Sequence, residues 1–567
     1  MKSTTLAPRR HRFRAIAITG LFALDLVGGL FLVERATGCV QLNVVSSEEK
    51  FPLLARLADD WAGTLPMVDG RCIRVVVHRV ASGTAEAALA AGTTADGVHP
   101  DAWAPAATSW TDLLRQHRTE NGQPDILPTR LPGLAQSPLV IAMPQPLAEA
   151  MGWPATRIGW SDIFELARDP AGWGRFGHPE WGAFRLGKTN PLISTSGLHA
   201  LIATYQAATH GLSGNLGAED LVRPEVVDFA RGVEAAVVHY GPTVSAFTTN
   251  LRAANNLTYI SAIAAEEQEV WDFNRASSGI RLAAIYPRDG TLMADHPFAV
   301  LAAPWVSGLK RDASRAFLEF LRSDRAQVQF QAAGFRDRDG RPGPDLRRSA
   351  NLNPDRPILN ATPRPAILEL VQASWQQVRK RARVLFLIDV SPSMAGPNLD
   401  LVKTAAIGAL DKFASDDQVG LWEFAGGLDA PPYRELVPIA ATGTSKGLLV
   451  RQIGDLTTIQ GGTPLYATLR LAAAEMRKSI LTGRINAIIL LTVGFNEDAG
   501  DTDAEVLLAS LAASSAEAGV RIFTIGYGRN PNSDTLRKIA TATRAAYYDA
   551  RDPALFADIF VRVVSNF

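Results

Sequence analysis

Cysteine is nearly absent: the 567 residues contain Cys39 and Cys72 and no others. Two thiols are too few for a structural zinc or iron–sulfur centre. In an exported chain an even count points to a disulfide, here closing a loop of roughly 34 residues and contributing about 3–4 kcal/mol. The alternative is two unrelated buried thiols. Histidine is sparse as well, and His178, His199, His210, His239 and His296 show neither metal nor triad spacing. The chain lacks His-Glu-x-x-His. An enzyme is therefore not expected. Net charge is absent too, with 57 basic and 57 acidic residues, and no basic stripe interleaves with aromatics, so nucleic acid is not an expected partner. No repeat of 20–50 residues is visible, which excludes solenoids and propellers.

What is present begins at the N-terminus. Arg9, Arg10, His11, Arg12 and Arg14 precede an apolar run from Ala15 to Val33, whose helical length of roughly 28 Å matches one hydrocarbon core. Basic residues before the span place the tail 1–14 in the cytoplasm and the remainder outside. Asp25 within the run costs about 2.5–3.5 kcal/mol, which its apolar neighbours offset. An uncleaved signal anchor over 15–33 is the favoured reading. Cleavage after the small residues Ala36-Thr37-Gly38, or lipidation at Cys39, are the alternatives. All three export the body of the chain.

A length of 567 residues exceeds one hydrophobic core, and 47% hydrophobic with 20% charged residues is ordinary folded material. Short β-branched runs alternate with helical spacing from Val40 to Ala333, the pattern of a parallel α/β sheet. Residues 39–336 are expected to form a first domain. The stretch 337–380, rich in proline and charge, reads as a linker that ends in a helix over Leu368–Arg379. A second α/β unit follows over 381–567. Its apolar strands, such as Ala487-Ile-Ile-Leu-Leu, imply burial on both faces and hence a doubly wound sheet.

In such a sheet, ligands gather beyond the carboxyl ends of the strands. Asp389, Ser391 and Ser393 stand where the strand Val384–Ile388 ends. One carboxylate with alternating hydroxyls is a hard oxygen set suited to Mg²⁺ or Mn²⁺. Ile-Asp389-Val-Ser391-Pro-Ser393-Met resembles the first loop of the metal-ion-dependent adhesion site of von Willebrand factor A (VWA) domains, a Rossmann-like fold. Gly461-Gly-Thr463-Pro-Leu resembles the second loop, and the strands Val419–Phe424 and Arg521–Gly526 match in order. The resemblance implies metal ligands Asp389, Ser391, Ser393 and Thr463, and an extracellular or cell-surface protein partner. One departure weakens the metal: the usual Leu-Leu-Thr-Asp-Gly reads Leu490-Leu-Thr-Val493-Gly, and Val493 cannot ligate. Whether Asn496, Glu497 or Asp498 reaches in is open.

The first domain is similar to the extracellular solute-binding proteins of ABC transporters. The similarity rests on Ser46-Ser47, Ser82-Gly-Thr, Pro100-Asp-Ala-Trp103, Ser161-Asp162 and Lys188-Thr-Asn-Pro-Leu-Ile-Ser194-Thr195-Ser196-Gly197. It implies two lobes joined by a hinge, crossed near Ser137–Met143 and again near Tyr286–Phe298. The implied ligand residues are Ser46, Ser47, Ser82, Trp103, Ser194, Thr195 and Ser196, holding a small solute or anion at a helix N-terminus. Serine and threonine at such positions also serve as plain N-caps. The expected molecule is thus a two-lobed periplasmic-binding-protein-like domain followed by a VWA domain, after one N-terminal transmembrane helix. It would be a membrane-anchored extracellular adhesion or binding protein. A transport receptor for an ABC permease, or a scaffold with degenerate sites, are the alternatives.

Overall fold

The structure, a computed structural model, describes residues 38–567 apart from 96, 210–215, 355–356, 429, 482, 529, 554–555 and 565. The expected span 15–33 lies outside the described residues. Among those described, no helix is long and apolar enough to cross a membrane.

In the first lobe, β1 (Val40–Ser46), β2 (Met67–Val68), β3 (Arg71–Arg79) and β4 (Ala102–Ala104) follow in chain order. β1 is central and runs parallel to β3 and β4, because its Leu42, Val44 and Val45 bury both faces. Cys39 and Cys72 are bonded, with Cα atoms 4.5 Å apart. They flank the first register pair, Val40 opposite Ile73, so the bond anchors the start of the sheet.

The second lobe holds β5 (Ser137–Pro144), β6 (Leu186–Thr189), β7 (Val237–Gly241), β8 (Ala262–Glu266), β9 (Leu282–Ile285) and β10 (Met293–Ala294). The chain then returns through β11 (Ala299–Val300), which pairs with β4 of the first lobe. The two crossings lie side by side: Gly133 bridges Pro297, and Leu134 N–H donates to the His296 carbonyl at 2.9 Å. The outward crossing therefore precedes Ser137. It lies beside the expected Ser137–Met143, a stretch that is itself the fully buried strand β5 of the second sheet. That sheet is also mixed rather than parallel, with β5 antiparallel to β8, β9 and β10. Strands adjoining the return path have to run back toward the hinge.

The third sheet has the order β14-β13-β12-β15-β16-β17. Its members are β12 (Arg381–Asp389), β13 (Gln418–Phe424), β14 (Tyr433–Ala441), β15 (Arg484–Thr492), β16 (Arg521–Tyr527) and β17 (Tyr547–Ala550). All pairs are parallel except β13–β14, and the order reverses direction about β12, as doubly wound sheets do. β14 is absent from the periodicity reading because Pro438 interrupts it. Proline is tolerated there because the strand is at the edge.

Segment 337–380 is packed rather than free. Leu346 and Leu352 are buried against the second lobe, and Arg336 holds Glu267 through two bonds of 2.9 Å. The helix Pro365–Val378 buries Ile367, Leu368, Val371 and Trp375. It lies against helix Thr108–Glu120 of the first lobe and helices Thr195–Ala208 and Pro224–Ala235 of the second. Composition marks such a stretch as loop, but a few spaced apolar residues suffice to dock it.

His199 and His239 are buried, and burial pushes both down to about 3. The folded chain keeps them neutral while the unfolded chain protonates them below about pH 6.5. Their contribution is complete above that pH and falls as pH drops from 6.5 toward 3, by about 1.4 kcal/mol per pH unit for each histidine. Thermal melts should show a Tm decline from pH 7 to 5 that is shallower in His239→Phe. A Tm unchanged over that range would contradict neutral burial.

Candidate functional site

Between the two lobes lies a cleft of about 350 Å³, open mouth included, lined by Ser47, Ser82, Ser194, Thr195 and Ser196 among others. Five of the seven expected ligand residues therefore meet. They meet because helices Phe51–Ala62, Ser82–Ala91, Thr195–Ala208, Val244–Ala254 and Glu267–Ala276 all begin at this cleft. Five positive dipole ends converge there. Ser46 is buried behind Ser47, donating to its carbonyl at 3.2 Å. Trp103 is a correction: strand alternation turns it into the core, fully buried, and it does not line the cleft. Trp160 is likewise core.

The hydroxyls are already engaged. Ser82 Oγ accepts from Ala106 N–H at 3.1 Å. Ser196 lies 3.1 Å from Thr189 Oγ1 and 3.0 Å from Ser194 Oγ. Trp110 of the first lobe donates its indole N–H to Thr195 Oγ1 of the second at 2.7 Å. Gly83 N–H, also first lobe, donates to the Ile193 carbonyl at 2.9 Å. A Cβ on Gly83 would sit 2.2 Å from the Leu192 carbonyl oxygen and 2.8 Å from the Trp110 ring. Only glycine permits this approach, so the lobes stand closed on one another.

Four carboxylates, Glu48, Glu49, Glu266 and Glu269, line the same cleft. Lys50 is buried beneath them, reaching the Pro105 carbonyl at 3.0 Å and contacting Ser47 Oγ. Burial pushes its ammonium down. Burial and the neighbouring Glu49 charge push Glu266 well above the usual carboxylate range, and burial with Glu266 does the same to Glu269. Burial also raises Glu49, but Lys50, His296 and the Ser47 hydrogen bond outweigh it and hold it low. His296, pushed down to about 3 by burial and Lys50, faces Glu266 with Nε2 3.2 Å from Oε2. The cleft floor is thus one linked charge network, and its acidic members went unread because they are dispersed in sequence.

The second constellation sits at the carboxyl end of the third sheet. Asp389 is fully buried. Its Oδ1 accepts from Ser391 N–H at 2.9 Å and its Oδ2 from Thr492 Oγ1 at 2.6 Å. Ser391 and Ser393 hydroxyls are 2.9 Å apart. Loop contacts bring Thr463 to the same edge: its carbonyl accepts from Glu497 N–H at 2.8 Å, and Ile459 N–H donates to the Val390 carbonyl at 2.7 Å.

The family comparisons match these two constellations separately. Residues 42–336 match the bacterial extracellular solute-binding protein model, and 384–562 match the von Willebrand factor type A domain model. The chain belongs to the bacterial extracellular solute-binding protein family. It carries a VWA domain at its carboxyl end. An uncharacterized protein of Mycobacterium tuberculosis is 23% identical over 515 residues, covering 88% of this chain and 72% of that one. One of Synechocystis is 28% identical over 181 residues, 31% of this chain and 40% of the relative. Among solved structures, a VWA protein from Catenulispora acidiphila is 25% identical over 33% of this chain and 43% of its own (TM-score 0.29). A periplasmic thiamin-binding protein is 10% identical over 60% of this chain and 97% of its own (TM-score 0.43).

Within the VWA domain, the third loop settles the direction of the residues after Val493. Asn496 turns away, accepting from Tyr466 N–H at 3.1 Å and donating to the Asp501 carbonyl at 2.6 Å. Glu497 lies over Gly462, whose added Cβ would meet the Glu497 Cβ at 2.9 Å. Burial raises Asp389, its hydrogen bonds to Thr492 and Ser391 lower it, and the Glu497 charge raises it further. Glu497 is therefore the second carboxylate whose field reaches the loop.

Trp110, unread in the sequence because a lone tryptophan on a helix looks like core, is the lobe-to-lobe latch. Trp110→Phe keeps the ring and deletes the donor, and should cost about 0.5–1.5 kcal/mol of closure. Small-angle scattering should show a larger radius of gyration. An unchanged radius together with unchanged stability would remove the latch.

Proposed function

We propose that the chain is an exported, membrane-held binding protein whose interlobe cleft takes a small polar solute and whose VWA domain engages a protein partner. The observation that carries this is the meeting of five expected hydroxyl residues and five helix N-termini in one cleft between closed lobes. The Cys39–Cys72 bond fits an oxidising compartment. The basic stretch before the apolar run 15–33 supports a single anchor with a cytoplasmic N-terminus.

The cleft chemistry narrows the solute. Helix N-termini and hydroxyls suit an anionic group, while the Glu49 carboxylate, held low, suits a cationic one, and Glu266 and Glu269, raised by burial, can donate as well as accept. The solute is amphoteric rather than a simple oxyanion. Its role is binding, not turnover. The helix Pro365–Val378, packed on both lobes and continuous with β12, passes cleft closure to the VWA domain.

At the VWA loop, Asp389, Ser391, Ser393 and Thr463 would hold Mg²⁺ or Mn²⁺. The buried carboxylate beside two adjoining hydroxyls is the donor set that a hard cation takes. Bound there, the ion supplies a positive centre for a partner carboxylate. Glu497 adds outer charge that Val493 does not. A transport-receptor role fits less well, because the VWA domain occupies one face of the second lobe.

Calorimetry of the full chain with Mg²⁺ tests the metal. Val493→Asp should tighten binding about tenfold, equivalent to about 1.4 kcal/mol, and Asp389→Ala should abolish it. Equal affinity in all three proteins would end the metal reading. A thermal-shift screen of zwitterionic solutes should find compounds that raise the Tm of the native chain and lose that effect in Glu266→Gln. If no such compound shifts the Tm, the amphoteric-solute reading fails.

A further inference from the structure

A second cavity, about 1370 Å³ with its open mouth included, lies where the solute-binding domain meets the VWA domain, at the end of the third sheet opposite the metal loop. Arg185 enters it from the second lobe, Lys380 from the join, and Arg484, Arg521 and Arg544 from the VWA domain. The amino-terminal ends of β15 and β16 place Arg484 and Arg521 on its wall. No aspartate or glutamate is among its described lining residues.

These five cations are held almost entirely by backbone and ring. Arg185 Nη1 donates to the Thr258 carbonyl. Lys380 Nζ donates to the Val237 carbonyl at 2.9 Å. Arg484 Nη1 donates to the Ala382 and Asp416 carbonyls at 3.2 and 2.6 Å, and Arg521 Nη1 to the Gly519 carbonyl at 3.1 Å. The Arg544 guanidinium lies 5.5 Å from the centre of the Tyr259 ring. Among the described residues none of the five forms an ion pair. The nearby Asp416 side chain is taken by Arg381 at 2.7 Å. Arg521 is 8% exposed, and its Nε is buried without a partner.

Burying Arg521 and half-burying the other four with no ion pair among the described residues is costly. The chain holds as many acidic as basic residues, yet none of the acids is among the described lining residues. The cost is visible in the groups themselves: burial and the Arg521 charge push Lys380 down to about 8, and burial pushes Arg521 down to about 10 although the neighbouring Tyr259 raises it. Converging guanidinium forks with free donors match tetrahedral oxyanions.

We propose that this cavity binds a phosphate-bearing anion of at least two charged groups, held between Arg185 of one domain and Arg484, Arg521 and Arg544 of the other. Such a ligand neutralises the wall and clasps the two domains together. The proposal is independent of the solute cleft and of the metal loop.

The probe is pyrophosphate, titrated calorimetrically into the full chain, with inorganic phosphate, sulfate and adenosine triphosphate as separate arms. Pyrophosphate should bind and raise the Tm, with inorganic phosphate at least tenfold weaker. Tighter binding of the nucleotide would place a base in the remaining volume, whereas equal binding would mark the polyphosphate group alone as the ligand; either supports the site. Arg521→Gln alters a buried residue and is prone to misfold. The deciding variants are therefore Arg185→Gln and Arg544→Gln, both half-buried, which together should weaken pyrophosphate at least tenfold. Arg477→Gln, exposed elsewhere on the VWA domain, should leave it unchanged. No binding at millimolar pyrophosphate, or equal weakening by all three substitutions, overturns the proposal.

Discussion

Lys188 and Glu234 form an ion pair with no side-chain exposure on either partner, and the joint between the two domains is built around it. A buried pair persists only when its remaining lone pairs are satisfied. Here Glu234 Oε2 accepts from the Tyr240 hydroxyl at 2.5 Å, and that hydroxyl in turn accepts from Lys380 N–H at 3.0 Å. Tyr240 N–H donates to the Asn566 carbonyl at 3.0 Å, and its ring meets Trp375 edge-on at 4.9 Å. The chain of contacts begins in the second lobe and ends on the VWA backbone. Arg379, one residue before Lys380, is itself tied to the buried Asp417. One apolar cluster accordingly runs through both domains, from Leu186 and Val237 to Trp375, Val384 and Phe523.

The same strand that carries Lys188 leads directly to the cleft. β6 ends at Thr189, whose hydroxyl is 3.1 Å from Ser196. A Cβ on Gly197 would lie 2.3 Å from the Thr189 carbonyl oxygen, so the helix start is pressed onto the strand. Cleft and joint thus share one short element. Opening the cleft leaves the joint intact, because Lys188, Glu234 and Tyr240 all belong to the second lobe. It does disturb the packing of helix Pro365–Val378 on the first lobe.

The elements with strong period are legible in the sequence. Val384–Ile388 and Ala487–Leu491 bury both faces and could be nothing but central strands, and Ser194-Thr195-Ser196 announced a helix start. The unread parts share a physical cause. Pro438 hides an edge strand that needs no ladder donor. Leu346, Leu352 and Trp375 dock a segment whose average composition is that of a loop. Glu49, Glu266 and His296 come from three separate parts of the chain, and only the closure of two lobes makes them neighbours. Arg185, Arg521 and Arg544 are invisible as a group for the same reason. Trp103 shows the converse error: family position suggested a cleft, and strand alternation turned it inward.

Substitution of one residue does different things at the two ends of the VWA sheet. At the carboxyl end, Val493 removes a carboxylate from a loop that already has a buried anion, Asp389, raised by burial and by Glu497. One acid fewer there lowers mutual repulsion, so the loop is easier to hold. At the amino end, the described partners of the arginine wall are backbone carbonyls and a ring, which carry only partial charge. The sheet therefore presents a single buried carboxylate at one edge and, among the described residues, a cationic wall without ion pairs at the other. Of the two, the wall is the stronger electrostatic demand for a ligand, and it lies against the lobe that carries the solute cleft.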